Sequence, residues 1–194
     1  VERFLTHLVV ERNVSQSTQS VALNALVFLY SKFLGQPPIN LDDFRKASRQ
    51  RKLPVVLTKD EVSLFFRQLK GVHKLMASLL YGSGLRRIEL VRLRVKDVDL
   101  DHMQLQVWNG KGGKHRLTTL APELDSSLRA QFDLVESLFQ QDTKVAKYSG
   151  VWLPHALARK YQSAPYSLGW HYLFPSSKLS IEPGTNNLRR HHFD

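Results

Sequence analysis

The sequence predicts a mainly α-helical chain with one small antiparallel β-sheet, an α+β fold. Three observations predict it. Apolar residues recur at helical spacing behind capping residues over much of the chain. Between residues 103 and 120 the period changes to two, on either side of a glycine-rich turn. A basic stretch without apolar periodicity separates the first helices from the rest. At 194 residues, 42% of them hydrophobic, the chain can bury a core as one large domain or two small ones.

The first unit reads as all helical. Residues 2–11 form a short helix. Residues 17–34 read as a helix buried on most sides, because Val21, Leu23, Ala25, Leu26, Phe28, Leu29 and Phe33 leave little polar face. Ser15 or Ser17 can cap its start, and Gly35 followed by Pro37-Pro38 ends it. The run from Phe44 to Lys52 carries five basic residues within positions 45–52. It reads as a tether and as a strap along phosphates, two roles that are compatible. Pro54 breaks any helix there.

The second unit opens with Thr58-Lys59-Asp60-Glu61, a capping box that starts a helix running to about Leu69. A helix follows over 74–81, and another begins near Arg86 with Ile88, Leu90, Val91 and Leu93 apolar. Met103, Leu105 and Val107 then alternate with polar residues, as do Arg116, Thr118 and Leu120. They predict a hairpin around Asn109-Gly110-Lys111-Gly112-Gly113-Lys114. Pro122 suits the first position of an amphipathic helix with Leu124, Leu128, Phe132, Val135 and Leu138 on one face. Residues 143–194 are rich in aromatics, proline and histidine, with one short helical stretch near 155–161.

Composition narrows the function. There is no cysteine, which excludes disulfides, thiol catalysis and thiolate metal sites. No apolar run is long enough to span a bilayer, and the first residues are not a signal peptide. Lys and Arg number 28 against 17 Asp and Glu, a net charge of +11, which points to a polyanionic partner rather than merely a solvated basic face. The chain lacks an initial Met and ends on Arg189-Arg190-His191-His192-Phe193-Asp194 without a stop signal, as the middle of a longer protein would.

Two motifs carry chemistry. In Gly82-Ser83-Gly84-Leu85-Arg86-Arg87-Ile88-Glu89-Leu90 the glycines end one helix and present Arg86 at the start of the next. Backbone N–H groups and a guanidinium there converge on one anion, and Glu89, three residues on, can hold an arginine in place. The hairpin turn Gly110-Lys111-Gly112-Gly113-Lys114-His115-Arg116 lacks the spacing and the strand-to-helix context of a nucleotide-binding P-loop. A lysine at a hairpin tip can instead reach a DNA groove and protonate a leaving oxygen.

Together, the arginine motif and a hairpin lysine 25 residues later resemble the tyrosine recombinases. The resemblance implies that Arg86 is the first catalytic arginine, that Lys111 is the hairpin lysine, and that Lys114 is a second basic residue of the turn. It implies a truncated helical core-binding domain over residues 1–45, a basic linker over 46–57, and part of the catalytic domain over 58–194. Tyr148-Ser149-Gly150-Val151-Trp152-Leu153-Pro154, the helix with Lys160, the aromatic run from Ala164 to Ser176, and Arg189-Arg190-His191-His192 resemble the insertion of integron integrases, placed at about 143–175. That family reads folded single-stranded sites through flipped-out bases, which can stack on Trp or His. Trp170, His191 and His192 match positions used for this, Pro183 shapes the same pocket, and Lys160 contacts phosphate or base. The alternative for Trp170 is a core aromatic cluster with Tyr166, Tyr172 and Phe174. Adjacent histidines in a loop rarely share one ion, so no metal site is read there.

The resemblance further implies recombination of gene cassettes of mobile elements, through a 3′-phosphotyrosyl link without metal or nucleotide cofactor. The partners are duplex DNA, folded single-stranded DNA and, at full length, a homotetramer on synapsed DNA in the bacterial cytoplasm, with the nucleoid. Arg87, Lys114 and Arg116 grip phosphates. None of the six tyrosines stands in the nucleophile's context, so this chain binds DNA without cleaving it. A phage-type tyrosine recombinase on duplex sites and a non-catalytic DNA-binding module are the alternatives.

Overall fold

Ser15 stands just outside a helix in extended conformation, and its hydroxyl accepts the Thr18 N–H at 3.2 Å. That cap starts α2 (Gln16–Phe28), which packs on α1 (Glu2–Val10). The structure is a computed structural model that describes residues 1–36, 44–48 and 54–193, except the side chains of Lys111 and His155. The chain divides into two compact units, Val1–Val56 and Leu57–Asp194.

In the first unit, buried Gln19 ties two backbone segments to α2. Its amide nitrogen donates to the carbonyls of Leu5 (3.1 Å) and Arg45 (2.7 Å), and its oxygen accepts the Ala47 N–H (2.9 Å). The beginning of the basic stretch is thereby pinned to both helices; Arg49, Arg51, Lys52 and Pro37-Pro38 lie outside the described residues. The reading of 17–34 as a helix buried on most sides is corrected. α2 passes into one π-helical turn (Leu29–Phe33), and Val21, Phe28 and Phe33 are 66%, 65% and 77% exposed. α1 and the backbone of residues 45 and 47 pack on this helix around Gln19, its one buried residue.

In the second unit, the Thr58 hydroxyl accepts the Glu61 N–H and the Glu61 carboxylate accepts the Thr58 N–H, so α3 (Lys59–Gln68) begins on a complete capping box. α4 (Gly71–Ser83) extends beyond the 74–81 read from periodicity and stops at Gly84, whose φ of +60° is the left-handed conformation glycine tolerates. α5 (Arg87–Val91) follows at once. Next come β1 (Val98–Asp99), β2 (Gln104–Val107) and β3 (Arg116–Thr119), an antiparallel sheet in the order 1-2-3. Leu105 and Val107 point into a core with Leu79, Leu90, Leu128, Leu173 and Phe174. A 3-10 turn led by Pro122 enters α6 (Asp125–Asp142), which buries Leu128 and Val135. Burying such side chains stabilises by roughly 1.5–3 kcal/mol each.

The last fifty residues hold more structure than the one short helix expected of them. α7 (His155–Lys160) is present, but so is a second antiparallel hairpin, β4 (Pro175–Ile181) and β5 (Leu188–His192). Two arginines hold it. Arg190 makes a buried bidentate pair with Asp142 at the end of α6, both bonds 2.6 Å, and donates to the Ser176 carbonyl. Arg189 pairs with Glu182 at 3.0 Å and donates to the carbonyls of Ser149 and Gly150. His191 and His192 therefore lie on a strand, which corrects their placement in a polar loop.

Candidate active site and nucleic-acid interface

The left-handed turn at Gly84 and buried Leu85 set Arg86 in extended conformation immediately before α5. Its backbone N–H donates to one oxygen of Glu89 and its guanidinium to the other, both at 2.8 Å. Arg116, projecting inward from β3, donates to the same two oxygens at 2.8 and 2.7 Å. The Glu89 side chain is 5% accessible, whereas Arg86 is 53% and Arg116 34% accessible. The two Arg116 bonds, helped by the Arg86 N–H and guanidinium, outweigh burial and push the Glu89 carboxyl down to about 2. Arg116 is correspondingly held above its ordinary value by Glu89. One buried carboxylate thus fixes two guanidiniums side by side with a net charge of +1, an arrangement suited to a phosphate.

The hairpin closes over this cluster. Gly110 donates to the Lys114 carbonyl and accepts from Gly113, both at 2.9 Å, while Gly112 and Gly113 turn through φ of +76° and +73°. A β-carbon on Gly110 would lie 3.0 Å from Arg116 Nη1 and 3.1 Å from Glu89 Oε1 and the Lys114 carbonyl. A side chain here would press on Glu89 and Arg116, so the glycine eases the close approach of the hairpin neck. β3 is also tied to the arginine motif by the Thr118 hydroxyl, which donates to the Ser83 carbonyl at 2.8 Å. The two sequence motifs therefore meet. Lys111 opens the turn, with its side chain outside the described residues, and Lys114 is exposed. The grip of Arg116 on Glu89 was not foreseen. Its signal is the alternation in β3, which turns Arg116 and Thr118 inward and leaves Leu117 exposed.

A second cluster surrounds Trp170, in a 3-10 turn (Leu168–Trp170). Tyr172 and Phe174 are buried, so they are core residues; Trp170 is half-buried at the rim, and Tyr166 is exposed. Lys96 Nζ lies 4.6 Å and the Arg94 guanidinium 5.7 Å from the Trp170 ring. Arg94 donates to the carbonyls of Trp170 and Trp152 and lies 4.7 Å over the Tyr172 ring. Burial lowers the Arg94 pKa. Sequence reading missed Arg94 and Lys96, since nothing local tells a basic residue in a turn what ring it will meet.

The remaining candidates stand on α7 and the β4–β5 hairpin. Lys160 ends α7, exposed, with Nζ 5.1 Å over the Tyr161 ring, itself 6.5 Å from Trp170. Pro183 is exposed in the β4–β5 turn. His192 is half-buried, edge-on to Tyr172 at 5.3 Å, and its Nδ1 lies 2.8 Å from the Phe193 carbonyl. His191, its neighbour on the strand, is half-buried and belongs to the opposite face. Among the described residues no three His, Asp or Glu side chains are grouped to hold a metal ion. No helix among them is long and apolar enough to cross a membrane.

Residues 55–191 match the phage integrase family, and residues 1–40 match the phage integrase N-terminal SAM-like domain. Two relatives described as integrase/recombinase, from Escherichia coli and Pseudomonas aeruginosa, are each 43% identical over 192 residues, covering 99% of this chain. The chain spans 57% of the length of each. Among solved structures, the XerH site-specific recombinase bound to its difH substrate aligns with a TM-score of 0.52 and 20% identity, covering 88% of this chain and 55% of that one. That likeness is one of fold.

Proposed function

The chain belongs to the phage integrase family, that of the tyrosine recombinases, and on that premise we propose that it forms part of a recombinase that cuts and rejoins DNA at specific sites. One observation carries the reading: the Arg86–Glu89 motif and the lysine hairpin meet at Gly110, with Arg116 binding them together. In the proposed reaction a tyrosine oxygen attacks a phosphodiester, the phosphorus–5′-oxygen bond breaks, and a 3′-phosphotyrosyl link forms. Arg86 neutralises the phosphate oxygens as charge develops. Lys111 gives its proton to the departing 5′ oxygen, and Glu89 keeps Arg86 in place. No metal or nucleotide is required. We assign the nucleophile to none of the six tyrosines. Tyr148 and Tyr172 are buried, and burial raises their pKa, the wrong direction for attack. Alone, this chain is proposed to bind DNA without cleaving it.

The reading takes residues 1–45 as part of the core-binding domain, 46–57 as a phosphate-contacting linker, and 58–194 as part of the catalytic domain. Lys114, Lys160, Arg87 and the accessible third of Arg116 supply further phosphate contacts. The net charge of +11 supports DNA as the partner. Within the family we propose an integron integrase, acting as a homotetramer in the bacterial cytoplasm on gene cassettes. Trp170 at the rim of an aromatic cluster, with Pro183, His191 and His192, would then receive bases flipped out of a folded single strand. Binding to a DNA stem with and without extrahelical bases, at fixed salt, tests this. Trp170→Ala or His192→Ala should cost the bulged stem roughly 1–3 kcal/mol and leave the plain stem nearly unchanged. Equal affinity for both stems in the unsubstituted protein would favour the phage-type reading on duplex sites.

A further inference from the structure

Lys96 sits in a 3-10 turn (Val95–Asp97), and its ammonium does three things at once. It pairs with Asp97 Oδ1 at 2.7 Å, faces the Trp170 ring at 4.6 Å and faces the Trp108 ring at 5.1 Å. The same Asp97 oxygen accepts the Trp108 Nε1–H at 3.0 Å, and the other accepts the Arg94 N–H at 2.9 Å. Asp97 is buried, so this anchor is fixed. Trp108 in turn stands at the hairpin root, edge-on to His115 at 5.0 Å, whose Nδ1 accepts the Asn109 N–H at 3.1 Å. One charge thus bridges the indole proposed to read bases and the neck of the lysine hairpin.

We propose that Lys96 is a positioning residue: it holds the Trp170 indole in its reading orientation and ties it to the hairpin through Trp108 and Asp97. The inference rests on the base-reading role given to Trp170 above. An exposed Lys–Asp pair between sequence neighbours would by itself contribute little. Here the lysine is held between two indoles, the aromatic surface a cation favours most.

The test uses this chain, a fluorescent DNA stem with two extrahelical nucleotides, and the same stem without them. Lys96→Met keeps the length and apolar stem but removes the charge. It should lower the preference for the bulged stem by about two- to fivefold, with the salt dependence of binding unchanged. Lys96→Arg should restore the preference, and Lys96→Met should add nothing in a Trp170→Ala background. Equal loss on both stems with a shallower salt dependence would make Lys96 a phosphate contact and overturn the proposal. So would a lowered melting temperature with the preference intact. If the unsubstituted chain shows no preference, the base-reading role itself fails and the proposal falls with it. A preference that Lys96→Met leaves untouched overturns the proposal alone.

Discussion

Glu89 joins three consequences in one side chain. It accepts the Arg86 backbone, orients the Arg86 guanidinium and takes both Arg116 nitrogens. Its pKa falls from 4.5 to about 2, so the unfolded chain takes up this proton before the folded one does. The stability it contributes is therefore complete above about pH 4.5 and is lost as the pH falls toward about 2. Urea unfolding across that window should show a steeper loss for the native chain than for Glu89→Gln. Parallel curves would mean that Glu89 is not held charged by its arginines. At this scale the sequence was informative about Arg86 and Glu89, three positions apart on one motif. It was silent about the pairing of Arg116 with Glu89, 27 positions away.

Elements differ in how openly they announce themselves. The capping box at Thr58 and the alternation of β2 and β3 are local patterns, and the structure shows both where the sequence placed them. β4 and β5 are not, because apolar alternation is confined to Leu179-Ser180-Ile181 in β4 and is lacking in Leu-Arg-Arg-His-His. One of the two pairs that hold β5, Arg190–Asp142, spans 48 positions, which no local window contains. Removing one partner of a buried pair strands the other, at a cost of roughly 3–5 kcal/mol. Asp142→Ala should lose that much in a denaturant titration; a loss below about 1 kcal/mol, the range of exposed pairs, would show the pair to be solvent-screened. The β2–β3 hairpin makes a different prediction. In a protein extended to the relatives' length, Lys111→Ala should slow cleavage of normal DNA. It should recover when sulfur replaces the leaving 5′ oxygen, because a thiolate leaves without a proton. Equal loss on both substrates would reduce Lys111 to a phosphate contact.

For the whole molecule, two short motifs resemble the tyrosine recombinases, and the match of residues 55–191 to the phage integrase family agrees with that resemblance. The buried reading of residues 17–34 failed for the opposite reason. Apolar content says what a helix can bury, whereas burial depends on what packs against it; Phe28 and Phe33 remain exposed. The central claim is that Arg86, clamped by Glu89, stabilises charge on a phosphate during attack. It is tested most directly by the rate of covalent protein–DNA adduct formation on a nicked suicide substrate at saturating DNA, in a protein of the relatives' length. Arg86→Ala is a fair probe because Glu89 also has two bonds to Arg116, which do not depend on the Arg86 side chain. An adduct through a tyrosine is expected, forming at least about a hundredfold more slowly in Arg86→Ala, with DNA affinity changed far less. Adduct formation at the same rate in both proteins would contradict it.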